Sequence, residues 1–574
     1  MQTSENLRAL LRSVDRKSYP AYKSLKGIYQ FPDYQLSIDH VQGDPFASPS
    51  HLTVNVPRKK AGMPEEYCKD SLCRTALADF LLREFSKEAA HFSFRAKGSG
   101  KSGLISVSHC GQEVLPRTAC QVTDSDIIVR FHVGFPAVGR TISAGELERI
   151  LFEFLPSGIR KAFFYRNLDS AALEGWIHLA EDQAALRRHL QESSLAAFVS
   201  DGAILPRASG VSDLPMKDGV PFHSPAALKT SFTLPHKGSI TGMGIPRGIT
   251  LIVGGGYHGK STLLSALQLG VYDHIPGDGR EFVLTDDTAM KIRSEDGRFV
   301  KDVDISLFIN NLPNKKDTTR FSTEDASGST SQAASIVEGM EAGTRVFLMD
   351  EDTTATNFMV RDSFMQRVIS PEKEPITPFL LRARDLFEKA GISTILVAGS
   401  SGDFFHIADT IIQMDSYAPY DITKEVKALL PAYPVSTESA SPFRMPSGRR
   451  VMSRPLPPAP KKNYYGNVKD RPEPLKVKLH GKDGFSLGRE DVELRFVEQL
   501  TDAEQTAALG FLLRTACDQL IDGKHTVSEI IQVLKTQLEQ KGPGFFKENG
   551  YVNAGFAIPR LQEIYACFNR FRRP

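Results

Sequence analysis

Short apolar runs recur through the middle of the chain, and longer segments with helical spacing separate them. The runs are ITLIV, REFVLT, TRVFLMD, STILVA and TIIQMD. Their length and their β-branched residues favour buried strands. Strands that alternate with helices are typical of a parallel sheet covered on both faces. We therefore predict an α/β domain over residues 196–440, built on a largely parallel sheet.

The flanking regions have a different texture. Residues 1–195 mix strand-like stretches such as HLTVNV and DIIVRFHVGF with helical ones such as SLCRTALADFLLREF, which predicts an N-terminal α+β domain. Residues 485–574 begin with the alternating DVELRFVEQL and continue into amphipathic helices, which predicts a smaller C-terminal α+β domain. Residues 441–484 are rich in proline and basic side chains and are interpreted as a linker.

Composition excludes several classes of protein. The 574 residues carry 70 basic and 68 acidic side chains, so no global positive field announces nucleic acid. No apolar run approaches the roughly 18 residues that a membrane span requires. Six cysteines without a CxxC pair favour reduced thiols, and we expect a cytoplasmic protein.

The segment LIVGGGYHGKSTLL predicts a phosphate-binding loop. Gly254, Gly259, Lys260 and Ser261 match the pattern GxxxxGK[ST] between a strand and a helix, which points backbone N–H groups and a helix start at one anion. Lys260 would reach the β- and γ-phosphates, and Ser261 would ligate Mg²⁺. The predicted nucleotide-binding residues are Gly254, Gly255, Gly256, Tyr257, His258, Gly259, Lys260, Ser261 and Thr262.

Acidic residues follow the apolar run in TRVFLMDED. Asp350 stands at the predicted carboxyl end of a buried strand, where ligands of α/β sheets bind, and it would hold Mg²⁺. Glu351 is the predicted catalytic base that orients the attacking water. Asp352 is a reserve candidate.

Small hydroxyl residues open a further helix in ASGSTSQAASIVEGM. Ser327, Gly328 and Ser329 at a helix start make a second anion-binding position, although such a stretch alone is often only a helix cap. Together with the loop and Asp350, it resembles the signature of ABC ATPases, here Ser327, Gly328, Ser329 and Gln332. That resemblance implies that the signature caps the γ-phosphate of the opposite subunit in a homodimer.

The resemblance extends to one family, the ATPases of the ABC class, over nearly the whole chain. The segments that carry it are IDHVQGDPF, TGMGIPRGITLIVGGGYHGKSTLL, IPGDGREFVLTDD, KIRSEDGR, ASGSTSQAA, MDEDTTATNFMVRD and GFAIPRLQEIYACFNRFRR. It implies a P-loop ATPase core without membrane domains, linked to RNA binding and RNA processing, and it places Asn357 in the loop that couples the two sites.

Three positions depart from the general ABC pattern. Tyr257 replaces a usual glycine of the phosphate loop. Where a switch histidine is usual, the chain reads GSSGDFFH, so that Ser400, Ser401 or His406 is left as the candidate switch. No clear glutamine loop is visible, and Asp286 and Asp287 are weak substitutes.

Local positive charge suggests a nucleic-acid partner. Between positions 444 and 482 there are eleven basic and two acidic residues, a net charge of +9, with Tyr464 and Tyr465 among them. This pattern is typical of a segment that binds phosphate backbones, and the first thirty residues repeat it with Tyr19, Tyr22 and Tyr29. The candidate nucleic-acid residues are Arg449, Arg450, Lys461 and Lys462, with Lys97 and Lys101 in the turn KGSGKSG.

Two functional hypotheses follow from these observations. In the first, ATP closes a two-subunit sandwich and hydrolysis reopens it, which clamps or releases RNA (or DNA) held by the flanking domains. In the second, the ATPase is a nucleotide-dependent assembly module whose partner is another protein. A transporter subunit is disfavoured, because it would require a separate permease.

Overall fold

The structure, a computed structural model, describes residues 2–361, 374–434, 440–453 and 475–572. The chain forms two compact units, one of Met1–Asp182 with Gln537–Ile558 and one of Gln183–Thr536 with Pro559–Pro574. These units divide the chain differently from the four predicted regions, because the C-terminal segment contributes to both.

The first unit is built on an antiparallel sheet that carries a long helix. Alternate residues of its strands are buried, so one face joins a core with the helices. The strands are Gln2–Thr3, Gly27–Gln30, Gln35–His40, Ser50–Pro57, Asp126–Val133, Ile105–Ser106 and Cys120–Val122, of which only the first pair is parallel. The main helices are Ser4–Val14, Ser71–Phe92, Ala144–Arg149 and Leu155–Phe163. The prediction of an α+β region is thus reproduced in this unit.

The second unit contains the predicted parallel sheet. Its strand order is Met290–Ile292, Val346–Asp350, Ser393–Val397, Ile249–Val253, Thr410–Asp415 and Ala418–Asp421. The first five run parallel, and the last is antiparallel to its neighbour. We call Ile249–Val253 the loop strand, Val346–Asp350 the aspartate strand and Ser393–Val397 the serine strand.

Helices complete this core. Lys260–Leu269 (the loop helix) packs on the aspartate and serine strands, and Phe379–Ala390 packs on the serine and loop strands. Gly328–Glu341 (the signature helix) buries Ile336 and Val337 in the same apolar cluster as Phe347 and Met349. The ends of the parallel strands therefore stand on a rigid base.

One predicted strand belongs elsewhere. Val283–Thr285, from REFVLT, lies in an antiparallel sheet with Lys229–Leu234, Gly238–Pro246 and Leu195–Ser200. The prediction that it joins the parallel sheet was wrong. A short apolar run shows burial but not which strand it will pair with, and its partner here, Leu195–Ser200, lies far upstream in the chain.

The C-terminal part of the second unit contacts the loop helix. It comprises the strands Val477–Leu479, Gly484–Leu487 and Glu490–Glu493 and the helices Ala503–Gln519 and Leu561–Arg570. Gln499, which is buried, donates its side-chain amide to the carbonyl oxygens of Gln268 (3.0 Å) and Ala289 (3.1 Å). The end of the loop helix and the residue before strand Met290–Ile292 are thereby joined.

Candidate nucleotide-binding site

The phosphate loop has the predicted geometry, a strand that ends at Val253 and a helix that begins at Lys260. Two glycines are required by position. Gly254 has φ +139°, and a β-carbon on it would lie 2.3 Å from the carbonyl oxygen of Met414. Gly259 has φ +97° and precedes the helix. Any other residue type at these two positions would be strained.

The Lys260 side chain spans the mouth of the loop. Its ammonium donates to the carbonyl oxygens of Gly254 (2.6 Å) and Gly255 (2.7 Å). Gly255, Gly256, Tyr257 and Ser261 are exposed around it. A compact cation among open backbone groups at a helix start is an arrangement that binds phosphate.

Asp350 lies near this loop because of strand register. Ile252 and Asp350 both pair with Val397, one from each side of the serine strand, so their backbones lie about 10 Å apart. Asp350 is 7% exposed, and its carboxylate accepts the N–H of Asp352 (3.1 Å). The carboxylate oxygens of Asp350 and the hydroxyl of Ser261 are ligands of the kind that a hard cation such as Mg²⁺ prefers.

Glu351 is held by the loop that follows the serine strand. Its carboxylate accepts the N–H groups of Gly399 (2.6 Å) and Ser400 (2.9 Å) and the Ser400 hydroxyl. Partial burial works to raise the pKa of Glu351, but these hydrogen bonds outweigh it and hold the pKa below its usual value. The carboxylate is therefore ionised at neutral pH, and Ser400 is the switch candidate that contacts it.

The signature residues divide into two pairs. Ser327 occupies the N-cap position of the signature helix and is exposed, and Gly328 follows it. Ser329 donates to the Asn357 side chain (2.9 Å), and fully buried Gln332 accepts the N–H of Ala355 (3.0 Å). We therefore correct the assignment of Ser329 and Gln332, which hold the loop after Asp350 in place rather than face a ligand.

The substitutes for a glutamine loop are structural. Asp286 is 6% exposed and pairs with Arg247 and Arg345, and Asp287 also contacts Arg345. The segment after strand Met290–Ile292 instead contacts the turn that follows Glu351, since the Ser294 N–H donates to the Thr353 carbonyl (3.0 Å). Its sequence signal was the motif KIRSEDGR.

A hairpin beside the loop was not recognised from the sequence. Strands Thr410–Asp415 and Ala418–Asp421 are joined by Ser416 and Tyr417, and the Ser416 N–H donates to His258 Nδ1 (2.8 Å). Two residues between TIIQMD and APYD could have indicated the turn. Its contact with the phosphate loop, 158 residues upstream, carries no local signal.

The candidate nucleic-acid residues have different environments. Arg450 is 3% exposed and pairs with Glu341, so we correct its assignment from nucleic-acid binding to the fold. Arg449 and Lys97 are exposed, and Lys101 is half-buried. Lys461 and Lys462 lie outside the described residues.

The N-terminal tyrosines require a further correction. Tyr19, Tyr22 and Tyr29 are each at most 1% exposed, and their hydroxyls donate to backbone carbonyl oxygens. They belong to the core of the first unit and cannot stack on bases.

Three family matches tile the chain. Residues 4–166 match the N-terminal domain of ATPases of the ABC class, residues 169–447 match the ABC ATPase P-loop domain, and residues 476–574 match the MRB1590 C-terminal domain. Over 250 residues the chain is 29% identical to the uncharacterized protein MJ1628 of Methanocaldococcus jannaschii, an alignment that covers 41% of this chain and 54% of that protein. The chain thus spans about half the length of this curated relative.

Solved ABC proteins align with 41% of the chain at a TM-score of 0.25. CbiO1 from Clostridium perfringens, part of the ABC transporter complex CbiONQ, is 14% identical over 91% of its length. MJ1267, an ATP-binding cassette of an ABC transporter in its ADP conformation, is 12% identical over 96% of its length.

Within the described residues, no helix has the length and apolar character needed to cross a bilayer. From its loop, its parallel core and the matches along its length, the chain belongs to the family of ATPases of the ABC class.

Proposed function

We propose that the chain binds Mg·ATP at the phosphate loop and hydrolyses it, with Glu351 as the base. The observation that carries this proposal is the place of Glu351, which directly follows Asp350 at the strand end beside the loop and whose carboxylate accepts three hydrogen bonds. A carboxylate at that position can orient a water molecule for attack on the terminal phosphate.

Each residue has a defined role in this proposal. Lys260 exchanges the carbonyl oxygens of Gly254 and Gly255 for phosphate oxygens, so its charge is compensated before and after binding. Ser261 and Asp350 hold the Mg²⁺ of the substrate. Glu351 must release its three hydrogen-bond donors on Gly399 and Ser400 before it can accept a proton from water. The loop of Gly399 and Ser400 thus controls when the base becomes available.

Two copies would close around the nucleotide. Exposed Ser327 and half-buried Gly328 stand at the start of a 14-residue helix, and a second chain could present this helix end to the terminal phosphate. ATP would then favour the closed homodimer, and hydrolysis would favour its opening.

The partner that we favour is RNA, bound in the cytoplasm. The segment between positions 444 and 482 carries a net charge of +9, of which, among the described residues, only the Arg450 charge is buried and paired, and Arg449 and Lys97 are exposed. Because the N-terminal tyrosines are buried, the basic side chains of this segment are proposed as the main source of affinity, through contacts with phosphates.

A protein partner is the second candidate, and a specific surface favours it. Residues 211–220 expose four apolar side chains, a composition typical of protein contacts. They are Val211, Leu214, Met216 and Val220.

An ATPase assay with and without single-stranded RNA, single-stranded DNA and duplex DNA tests the proposal. We expect Mg²⁺-dependent hydrolysis that RNA stimulates. Stimulation by a co-purifying protein, with none by RNA, would support the second candidate. A chain that hydrolyses no ATP under any of these conditions would refute the proposed ATPase activity.

The RNA site can be tested by charge removal. Replacing Arg449, Lys461 and Lys462 by glutamine should lower the slope of log affinity against log salt by about 2, since each lost phosphate contact removes about 0.7. The matched control replaces Lys389, Lys424 and Lys427, which are exposed in the second unit. Equal slopes in the two variants would place the RNA elsewhere.

A further inference from the structure

The hairpin beside the phosphate loop has a strained turn. Asp415 pairs with Ala418, so Ser416 and Tyr417 alone make the turn, with φ of +51° and +70°. Two-residue turns with both residues in the left-handed region strongly favour Asn-Gly or Asp-Gly. A tyrosine adopts this conformation at a cost that its surroundings must offset.

The turn is fixed on the phosphate loop. The Ser416 N–H donates to His258 Nδ1 (2.8 Å), and the Tyr417 N–H donates to the His258 carbonyl (3.2 Å). The Tyr417 ring lies against Gly259, where a β-carbon would come within 3.1 Å of ring atom Cδ1. The ring therefore stands next to the residue from which the loop helix begins.

Burial of the Tyr417 side chain does not explain why a tyrosine occupies this strained position. The side chain is 55% exposed, so burial of its apolar surface contributes little free energy to offset the strained backbone. Backbone strain of this kind is found mainly at ligand-binding and active sites. An open aromatic face beside a phosphate loop has the chemistry to receive the π-face of a base.

We propose that Tyr417 is the stacking platform for the nucleobase of the nucleotide whose phosphates occupy the loop. This inference rests on the proposed nucleotide site and adds a residue to it. Stacking reads the flat face and not the hydrogen-bonding edge of a base. Tyr417 therefore supports ATP and GTP alike and favours purines over pyrimidines.

Tyr257 is the competing ring, and the geometry favours Tyr417. Tyr257 is fully exposed, with φ +64°, so a ligand would have to order its side chain. Tyr417 is already positioned by the bond to His258 and by contact with Gly259. A preorganised group loses less entropy on binding.

The test compares two ligands that share phosphates and differ in the base. Calorimetry on the full chain would measure Mg·ATP and Mg·tripolyphosphate. Tyr417→Ala should weaken ATP about tenfold, which corresponds to about 1.4 kcal/mol, and leave tripolyphosphate unchanged. Tyr417→Gly suits the left-handed turn and should show the same pattern with the fold intact. Tyr417→Phe should restore ATP affinity.

Controls separate this inference from the proposed site. Tyr420→Ala removes a similarly exposed tyrosine (52%) from the same hairpin and should change neither ligand. Lys260→Ala should weaken both. If Tyr417→Ala weakens both ligands equally or neither, or if Tyr257→Ala has the base-dependent effect instead, the inference is overturned. If the wild-type chain binds neither ligand, the nucleotide site itself fails.

Discussion

Two charged clusters of the second unit differ in the groups that satisfy their charges. At the nucleotide site, the charges of Lys260 and Glu351 are satisfied by backbone carbonyl and N–H groups of neighbouring loops. In the second cluster, buried side chains satisfy each other. This cluster contains Arg298, Glu338, Glu341 and Arg450. The comparison teaches that the number of charged residues in a segment does not distinguish a binding site from a structural cluster. The groups that satisfy those charges do.

The two clusters differ in whether a charged side chain can exchange its present partners for a ligand. A lysine that rests on loop carbonyls can trade them for phosphate oxygens at small cost, because donors and acceptors are conserved. The side chains of Arg450 and Glu341 are 3% and 7% exposed. Removing one partner leaves the other charge buried without compensation. The first cluster should therefore tolerate substitution and lose function, whereas the second should lose stability.

The largest expected effect is on turnover. Glu351→Gln removes the base and should reduce hydrolysis by about 10²–10⁴-fold while ATP remains bound. The bound state should accumulate as a dimer by size exclusion with ATP, and its thermal unfolding should resemble the wild type. Near-normal hydrolysis would remove Glu351 from this role.

Arg450→Ala should cost roughly 3–5 kcal/mol of unfolding free energy, because it strands Glu341 in the interior. Denaturant unfolding measures it. The control is Arg449→Ala, the exposed neighbour, which should change stability by about 0.5 kcal/mol or less. Equal effects of the two substitutions would break the contrast between the clusters.

Lys260→Ala should weaken Mg·ATP binding about 100-fold, since a charge-assisted bond to phosphate contributes about 1.5–3 kcal/mol. Its unfolding should stay near the wild type, because the side chain is partly exposed and bonds only loop carbonyls. Wild-type affinity would overturn the assignment of the loop.

The smallest expected effect is a shift with pH. Glu351 works as a base only when ionised, so activity falls as pH drops through its pKa. Ser400→Ala removes the side-chain hydrogen bond that lowers this pKa in the free enzyme, so the acid limb of the kcat/KM profile should move to higher pH. The stability that the carboxylate contributes at neutral pH would likewise be lost at a higher pH on acidification. An unmoved limb with full activity would exclude Ser400 as a partner of the base.

The sequence predicted what is local. ITLIV, TRVFLMD, STILVA and TIIQMD form neighbouring parallel strands as expected, and the loop from Gly254 to Lys260 carries its geometry in contiguous residues. The pairing of REFVLT, the bond between Ser400 and Glu351 and the seat of Tyr417 on Gly259 depend on contacts between distant segments. Arg450 was misassigned for the same reason, because Glu341 lies over a hundred residues away and periodicity cannot show that contact.

Through the hydrogen bonds of Gln499, the carboxyl-terminal segment helps to hold the core of the second unit together. A chain truncated ahead of residue 498 would orphan the acceptors on Gln268 and Ala289, and an unsatisfied acceptor in the interior costs about 1–3 kcal/mol. The segment cannot be detached as an independent module without loosening the far end of the helix that carries Lys260.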